Sequence, residues 1–494
     1  MDELDAVVVG AGVAGLYALH LLREQGLRVR CFDAADEPGG VWHHQRYPGA
    51  RIDTEGYAYQ YQFSEDLYRD WGWSERFPAG YEVLRWLRFA VDRLDLTRDL
   101  QPATPVVSAR FDDDGWVVRT GDGGSVRARF LLCCTGVFGS PRRDAIPGRT
   151  DFAGPVVHTG AWPARGPDLA GKRVGVVGNG PSAVQLVPRA ADVAGHLTLF
   201  ARSPRWVLPA ANPMYGWPER EAYRSRLSEV RQAVRSTFGG LERELSGVGP
   251  ADVAALYAED PLLLRPAALP GVLTDEVLRA AVAGEVRERM CERLGGDPRL
   301  TKLLVPENDD FGLRPVATDQ GYLEAVARDD VDVVGVRDDP VTRIRPEGIE
   351  LASGTVHALD VVVLATGFAQ AGGCGVELRG RDGARFTTAG ALGITAHGFP
   401  NLFVPSAVSR GHGNDAACLQ GQVEWICEAI RRVRADGAAT IEPTPAGDTA
   451  EVSAGDTAGT GVPNTGLPPP GGIGAYLRRC AEEARAGYPS FRRG

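Results

Sequence analysis

Cysteine and methionine are scarce, at 8 and 3 in 494 residues. The cysteines include no CxxC pair, which excludes a zinc ribbon, and they are too few for a disulfide framework. Positive charge is not in excess: 54 Lys and Arg stand against 64 Asp and Glu, for a formal net charge of −10. A nucleic-acid partner is therefore not expected, because phosphate binding needs a basic surface. No uncharged apolar run approaches the roughly 20 residues that span a bilayer, so no membrane partner is expected either. The opening Met-Asp-Glu-Leu-Asp lacks the basic and apolar profile of a signal peptide, and a reduced, cytoplasmic protein is the expectation. The eight His are scattered, and their only neighbours, His43 and His44, are adjacent positions that rarely share a ligand geometry. No metal site is expected. There is no GxSxG elbow, and Cys133-Cys134 lacks the CxxxxC spacing of a disulfide reductase. Nothing in the residues indicates an oligomeric state.

Apolar residues (44%) and 62 Gly are what the chain does have, and the placement of the glycines is informative. Residues 4–9 read as a strand, 13–26 as a helix and 28–33 as a second strand ending at Asp33. Between the first two lies Gly10-Ala-Gly12-Val-Ala-Gly15. Its first glycine allows a tight turn, its second lets a pyrophosphate approach the backbone, and its third lets helix and strand pack closely. The helix N-terminus then faces the phosphates. Asp33, 23 residues after Gly10, stands where an acid accepts hydrogen bonds from a ribose.

A second unit of the same kind has strands at 173–177 and 197–202, a helix at 181–191, and the loop Gly178-Asn-Gly180-Pro-Ser182-Ala183. Its second strand ends in Arg202-Ser203 rather than an acid. An Arg there attracts the 2′-phosphate that an acid would repel, so NADPH rather than NADH is expected. Two such loops imply two nucleotides, and a flavin fed by NADPH is the pairing with sensible chemistry. The fold class expected is α/β, with two Rossmann-like dinucleotide-binding domains and a helical insertion. An FAD-binding domain would take 1–145 and resume at 380–494, with a flexible low-complexity loop at about 444–472. An NADPH-binding domain would take 150–375, with the insertion at about 209–300.

Two longer motifs give a family resemblance. Phe152-Ala-Gly154-Pro-Val-Val-His158-Thr-Gly-Ala-Trp162-Pro163 fits FxGxxxHxxxWP. The run from Gly39-Gly40-Val-Trp42 through Tyr47-Pro48-Gly49 to Asp53 fits [AG]GxWxxxx[FY]P[GM]xxxD. On these the chain resembles the type I Baeyer–Villiger monooxygenases from residue 4 to about 445. The resemblance implies that FAD is held by Gly10, Gly12, Gly15 and Asp33, with Gly40 and Trp42 lining the flavin and Asp53 and Tyr59 near it. It implies that NADPH is held by Gly178, Gly180, Ser182, Arg202 and Ser203. His158 and Trp162 would couple the two nucleotide domains. The implied partners are a small-molecule ketone and O2, and the implied product is an ester or lactone.

Arg314 matches the family's active-site arginine, and Asp53 the acid that pairs with it. The physical demand is a fixed positive charge beside an anionic oxygen species, which a guanidinium meets because it does not deprotonate at working pH. Three departures stand out. Leu313 replaces a Lys that helps hold the 2′-phosphate. The stretch 404–415 offers Ser409, His412 and Asn414 where the family has Gly-Pro. No Trp follows Trp425 to cover the nicotinamide. They point to a bulky or polar natural-product ketone rather than a small cycloalkanone. Two other readings stay open: N- or S-oxygenation or hydroxylation on the same fold, and a flavoprotein without oxygenase activity.

Overall fold

The fold is built outward from a strand buried on both faces. In the computed structural model, strand β1 (Asp2–Val9) holds Ala6, Val7 and Val8 out of solvent entirely, the near-continuous apolar run of a central parallel strand. The structure describes residues 2–136, 138, 141–142, 146–368, 375–406, 412–445 and 471–494. The loop expected at 444–472 therefore lies, from 446 to 470, outside the described residues, as does Ser409.

The chain runs from β1 through the helix Val13–Glu24 to β2 (Val29–Phe32), which pairs parallel to β1. Leu16, Leu19 and Leu22 bury the helix on the sheet. After the short β3 (Leu100–Gln101) comes an antiparallel meander, β4 (Val106–Asp112), β5 (Gly115–Thr120) and β6 (Ser125–Cys133). Strand β6 returns parallel beside β1.

The middle of the chain builds a second sheet. Its members are β7 (Val156–His158), β8 (Arg173–Val177), β9 (His196–Ala201), β12 (Val331–Gly335) and β16 (Val361–Leu364), all parallel in the order β12-β9-β8-β16-β7. Between β9 and β12, strands β10 (Val207–Pro209) and β11 (Ala317–Asp319) pair parallel across the insertion. The insertion contains helices Trp217–Arg224, Leu227–Ser236, Val253–Glu259, Glu276–Arg293 and Pro298–Leu304. Asp275 and Asp297 start the last two by accepting bonds from first-turn N–H groups. Strands β13 (Val341–Arg345), β14 (Gly348–Leu351) and β15 (Val356–Ala358) form a small antiparallel sheet.

The chain then comes back to where it began. β17 (Glu377–Arg379) extends the first sheet beyond β4, and β18 (Leu402–Phe403) pairs with β6. The 21-residue helix Asp415–Ala435 packs on the helix Val13–Glu24, with Tyr17 donating to Glu424 at 3.0 Å and Gln25 to the Cys427 carbonyl at 2.9 Å. The helix Gly472–Arg485 packs on it in turn. The first sheet is thus assembled from both ends of the sequence, and the second interrupts it.

Candidate functional site: two glycine loops and the cleft between them

Both glycine loops join a parallel strand to a helix at the carboxyl edge of a sheet, where open α/β sheets bind their ligands. Gly10 turns with φ +100° and Gly178 with φ +110°. A Cβ would lie 2.5 Å from the Cys134 carbonyl oxygen at Gly10, and 2.5 Å from that of Ala365 at Gly178. Both turns therefore need glycine for the fold. Gly15 needs it more, because its Cβ would meet the Gly10 carbonyl oxygen at 1.8 Å.

Gly12 and Gly180 differ. Each is the N-cap of the following helix in ordinary extended backbone, with φ −88° at both. A Cβ at Gly180 would meet nothing within 4 Å, and one at Gly12 would only touch the Gly40 Cα at 3.5 Å. Neither helix has a side-chain cap or an acid in its first turn, although both are long (12 and 11 residues). Helix starts left without a cap are the arrangement that accepts a phosphate. Asp33 completes the first loop: one carboxylate oxygen accepts from Ala11 N–H at 2.5 Å and the other from Ala35 N–H at 2.8 Å. At the second loop, Asn179 donates to the Ser203 carbonyl at 3.4 Å and accepts the Tyr322 hydroxyl. These cradles fit two dinucleotides.

The two motifs that gave the resemblance meet each other. Trp162 N–H donates to the His44 carbonyl at 2.9 Å. Tyr47 donates to Gln185 at 2.7 Å, and Gln185 donates to the Arg51 carbonyl at 3.1 Å. Burial pushes the Tyr47 hydroxyl up to about 12, against the lowering effect of Ser182 at the start of the second-loop helix. His158 is buried at the end of β7. Its Nδ1 accepts from Gly160 N–H at 2.9 Å, so its Nε2 carries the proton towards Thr366 Oγ1 at 3.2 Å, and Thr366 donates to the Arg142 carbonyl at 3.1 Å. Trp42 donates its indole N–H to the Tyr59 hydroxyl at 2.8 Å, with the rings edge to face. Burial raises the Tyr59 hydroxyl well above its ordinary value, and the Trp42 bond opposes this.

A narrow cleft open to solvent lies between Asp53, Thr54, Leu241, Arg265, Val316 and His412. Five segments distant in sequence converge there. Arg314 is two residues from Val316, yet it is exposed and makes no ion pair with Asp53. The expected pairing is absent from this structure. The physical reason is the anchoring of its loop. Trp206 donates to Asp310 at 2.8 Å and stacks edge-on against Phe311 at 5.5 Å, which draws the 310–315 turn towards the end of β9. There Arg314 and Arg202 are the charged neighbours of Arg205. The guanidinium that does attend Asp53 is Arg265, whose Nη1 donates to the Asp53 carbonyl at 2.8 Å. Neither Arg205 nor Arg265 stands out in the sequence. Arg205 follows Arg202 by three residues, a weak signal, and Arg265 reaches Asp53 only through the tertiary fold.

Comparison with known proteins agrees with this architecture. Residues 8–71 match the family described as an NAD(P)-binding Rossmann-like domain. The chain is 43% identical to an acetone monooxygenase (methyl acetate-forming) of Gordonia sp. (strain TY-5), over 99% of this chain and 98% of that one. It is 34% identical to a Baeyer–Villiger monooxygenase of Pseudooceanicola batsensis, over 90% and 84% of the two chains. It is 33% identical to a phenazine N-monooxygenase of Lysobacter antibioticus, over 90% and 85%. Among solved structures, an oxidized steroid monooxygenase bound to NADP superposes with a TM-score of 0.91 at 35% identity, covering 99% of both chains. OTEMO in complex with FAD and NADP superposes with a TM-score of 0.92 at 31% identity, also covering 99% of both. Two loops, their linking motifs and these full-length likenesses agree, and the chain belongs to the Baeyer–Villiger monooxygenases.

Proposed function

We propose that this protein inserts one atom of O2 beside the carbonyl of a ketone, giving an ester or lactone, with FAD at the first loop and NADPH at the second. The observation that carries the reading is the pair of N-cap glycines, Gly12 and Gly180, each starting a long helix with no side-chain cap, with nothing within 4 Å of where a Cβ at Gly180 would stand. When bound, the flavin supplies the hydride acceptor and the O2-reactive centre.

The residues divide the remaining work. The uncapped helix starts at Gly12 and Gly180 offer N–H groups to the two pyrophosphates. Asp33 accepts from a ribose hydroxyl, exchanging one of its bonds to backbone. Arg202 and Ser203 face the 2′-phosphate. Trp42 and Tyr59 wall the flavin, the indole keeping the tyrosine hydroxyl in place. Arg314 is the fixed positive charge for the oxygen-transfer step, and Asp53 steers it when the 310–315 turn swings to the cleft. His158, through Thr366 and the Arg142 carbonyl, and Trp162, through His44, tie the two units, so movement of one is felt by the other. The polar lining of the cleft by Asp53, Thr54, Arg265 and His412 favours a ketone bearing polar groups.

The test is to incubate the purified yellow holoprotein with NADPH, O2 and a panel running from acetone through cyclic ketones to polar polycyclic ones. Ketone-dependent NADPH consumption, with a product one oxygen atom heavier that hydrolyses to an alcohol and an acid, supports the proposal. The likeness to an N-monooxygenase favours one second reading, N-oxygenation. An N-oxide, which does not hydrolyse in that way, would replace the ester reading with it. NADPH consumption indifferent to every substrate would refute both.

A further inference from the structure

The end of β9 holds a concentration of positive charge that the protein leaves unneutralised. Arg202, Arg205 and Arg314 are near neighbours, and none of the three has a carboxylate at ion-pair distance among the described residues. The chain as a whole carries a formal charge of −10, so this local excess of positive charge runs against the overall balance. Arg205 is the notable member. It is half-buried, so its charge is partly stripped of water, and burial and the two other guanidiniums hold it below its usual range. Its backbone is held from three sides. Its own N–H donates to the Leu304 carbonyl at 3.2 Å, the next carbonyl accepts from Ala317 at 3.2 Å, and β10 pairs parallel with β11 from Val207 and Ala317 onward. A half-buried cation among other cations is destabilising unless an anion completes the site.

The place of this cluster says which anion. It stands at the carboxyl edge of the second parallel sheet, one strand over from Gly180, where the second strand of a dinucleotide unit meets the adenosine ribose. Leu313, on the facing turn beside Arg314, brings no charge of its own. On the reading that the second loop takes NADPH, we propose that Arg205 supplies a positive charge to the 2′-phosphate together with Arg202, and so restores the cation that Leu313 does not provide. NADPH preference in this chain then rests on two arginines from one strand end, rather than on one from the strand and one cation from the 310–315 turn.

The test measures binding of NADP+ and NAD+ to FAD-loaded protein by calorimetry, in the native chain and in Arg205→Gln. The expected result is a loss of about tenfold or more in NADP+ affinity, equivalent to about 1.4 kcal/mol, with NAD+ affinity unchanged. The salt dependence of NADP+ binding should fall as well, since one charge contact has gone. Arg205→Lys should retain most of the preference. Adding Leu313→Lys to Arg205→Gln should restore it, which also serves if the single variant is poorly folded. Equal losses for NADP+ and NAD+, or no loss for either, would overturn the assignment, as would a variant that binds NADP+ normally but turns over ketone slowly. If the native chain showed no NADP+ binding at all, the proposed function would fall instead, and the two failures are told apart by that one control.

Discussion

Gly180→Ala separates what the fold needs from what the ligand needs. At Gly180 the backbone has φ −88° and ψ −177°, which alanine adopts freely, and no atom lies within 4 Å of the added methyl. Two small effects on stability then oppose each other. Restricting the unfolded chain stabilises by about 0.4–1 kcal/mol. Placing Ala at an N-cap loses roughly 0.5–1.5 kcal/mol relative to Gly. The net change should stay within about 1 kcal/mol of zero, and the FAD content of the purified protein should be unaltered. The dinucleotide meets a different situation. The new methyl stands in front of the N–H groups that begin the helix Pro181–Ala191, where the pyrophosphate has to come to hydrogen-bond distance. Loss of NADP+ affinity should reach tenfold or more, about 1.4 kcal/mol. Calorimetric titration with NADP+, beside thermal unfolding of the same preparation, reads both quantities. Gly178→Ala is the control with the opposite profile, because φ +110° and a carbonyl oxygen 2.5 Å from the methyl strain the folded chain itself. Should Gly180→Ala bind NADP+ within about twofold of the native protein (about 0.4 kcal/mol), the open space at this glycine has no part in binding and the reasoning fails.

Three further outcomes are expected. Arg314→Ala should keep its FAD and still oxidise NADPH, but lose ester formation by about 10²–10³-fold, the effect of deleting one preorganised stabiliser; product analysis beside hydrogen peroxide release measures it, and near-native ester yield would remove Arg314 from the chemistry. Trp42→Phe should deprive the buried Tyr59 hydroxyl of its donor at 2.8 Å and lower stability by about 1 kcal/mol, read from urea unfolding. His43 accepts from Arg46 at 2.7 Å, and burial first, then Arg46, lower its pKa below the ordinary histidine value. The unfolded chain therefore binds the proton more readily, and this group's contribution to stability, complete above pH 6.5, declines as the pH falls below it. Thermal unfolding between pH 7.5 and 5 should show that decline, and His43→Asn should make it shallower.

Much of this was legible because glycine and the apolar runs obey local rules. The strand at 173–177 and the helix at 181–191 stand where the periodicity put them, and the first helix ends at Glu24, close to the Gly26 stop. Gly10 and Gly15 could be recognised because their constraints come from neighbours a few residues away or from the adjoining strand. What stayed hidden depends on contacts between distant segments. The return of β18 to β6 joins residues about 270 apart, and a two-residue strand carries no periodicity. Arg205 looks like any loop arginine until the pairing of β10 with β11 sets Arg314 beside it. The pairing of Arg314 with Asp53 was expected from motif alone, whereas the turn that carries Arg314 is held by Trp206, a residue no motif includes.

The interruption of one sheet by the other has a consequence for how the protein is made. The helix Val13–Glu24 leaves the ribosome early, but the helix that covers it, Asp415–Ala435, emerges only when synthesis is almost finished. Until then Tyr17 and its apolar neighbours have no lasting shelter, while the middle unit, whose five parallel strands all lie within 156–364, has all its strands synthesised well before. Nascent chains should therefore reach a stage in which the later-begun unit is finished and the first-begun one is still waiting, a window in which chaperones would be engaged. A fragment stopped at about residue 400, which holds the middle sheet but lacks the helix Asp415–Ala435, would be stranded in that state for good.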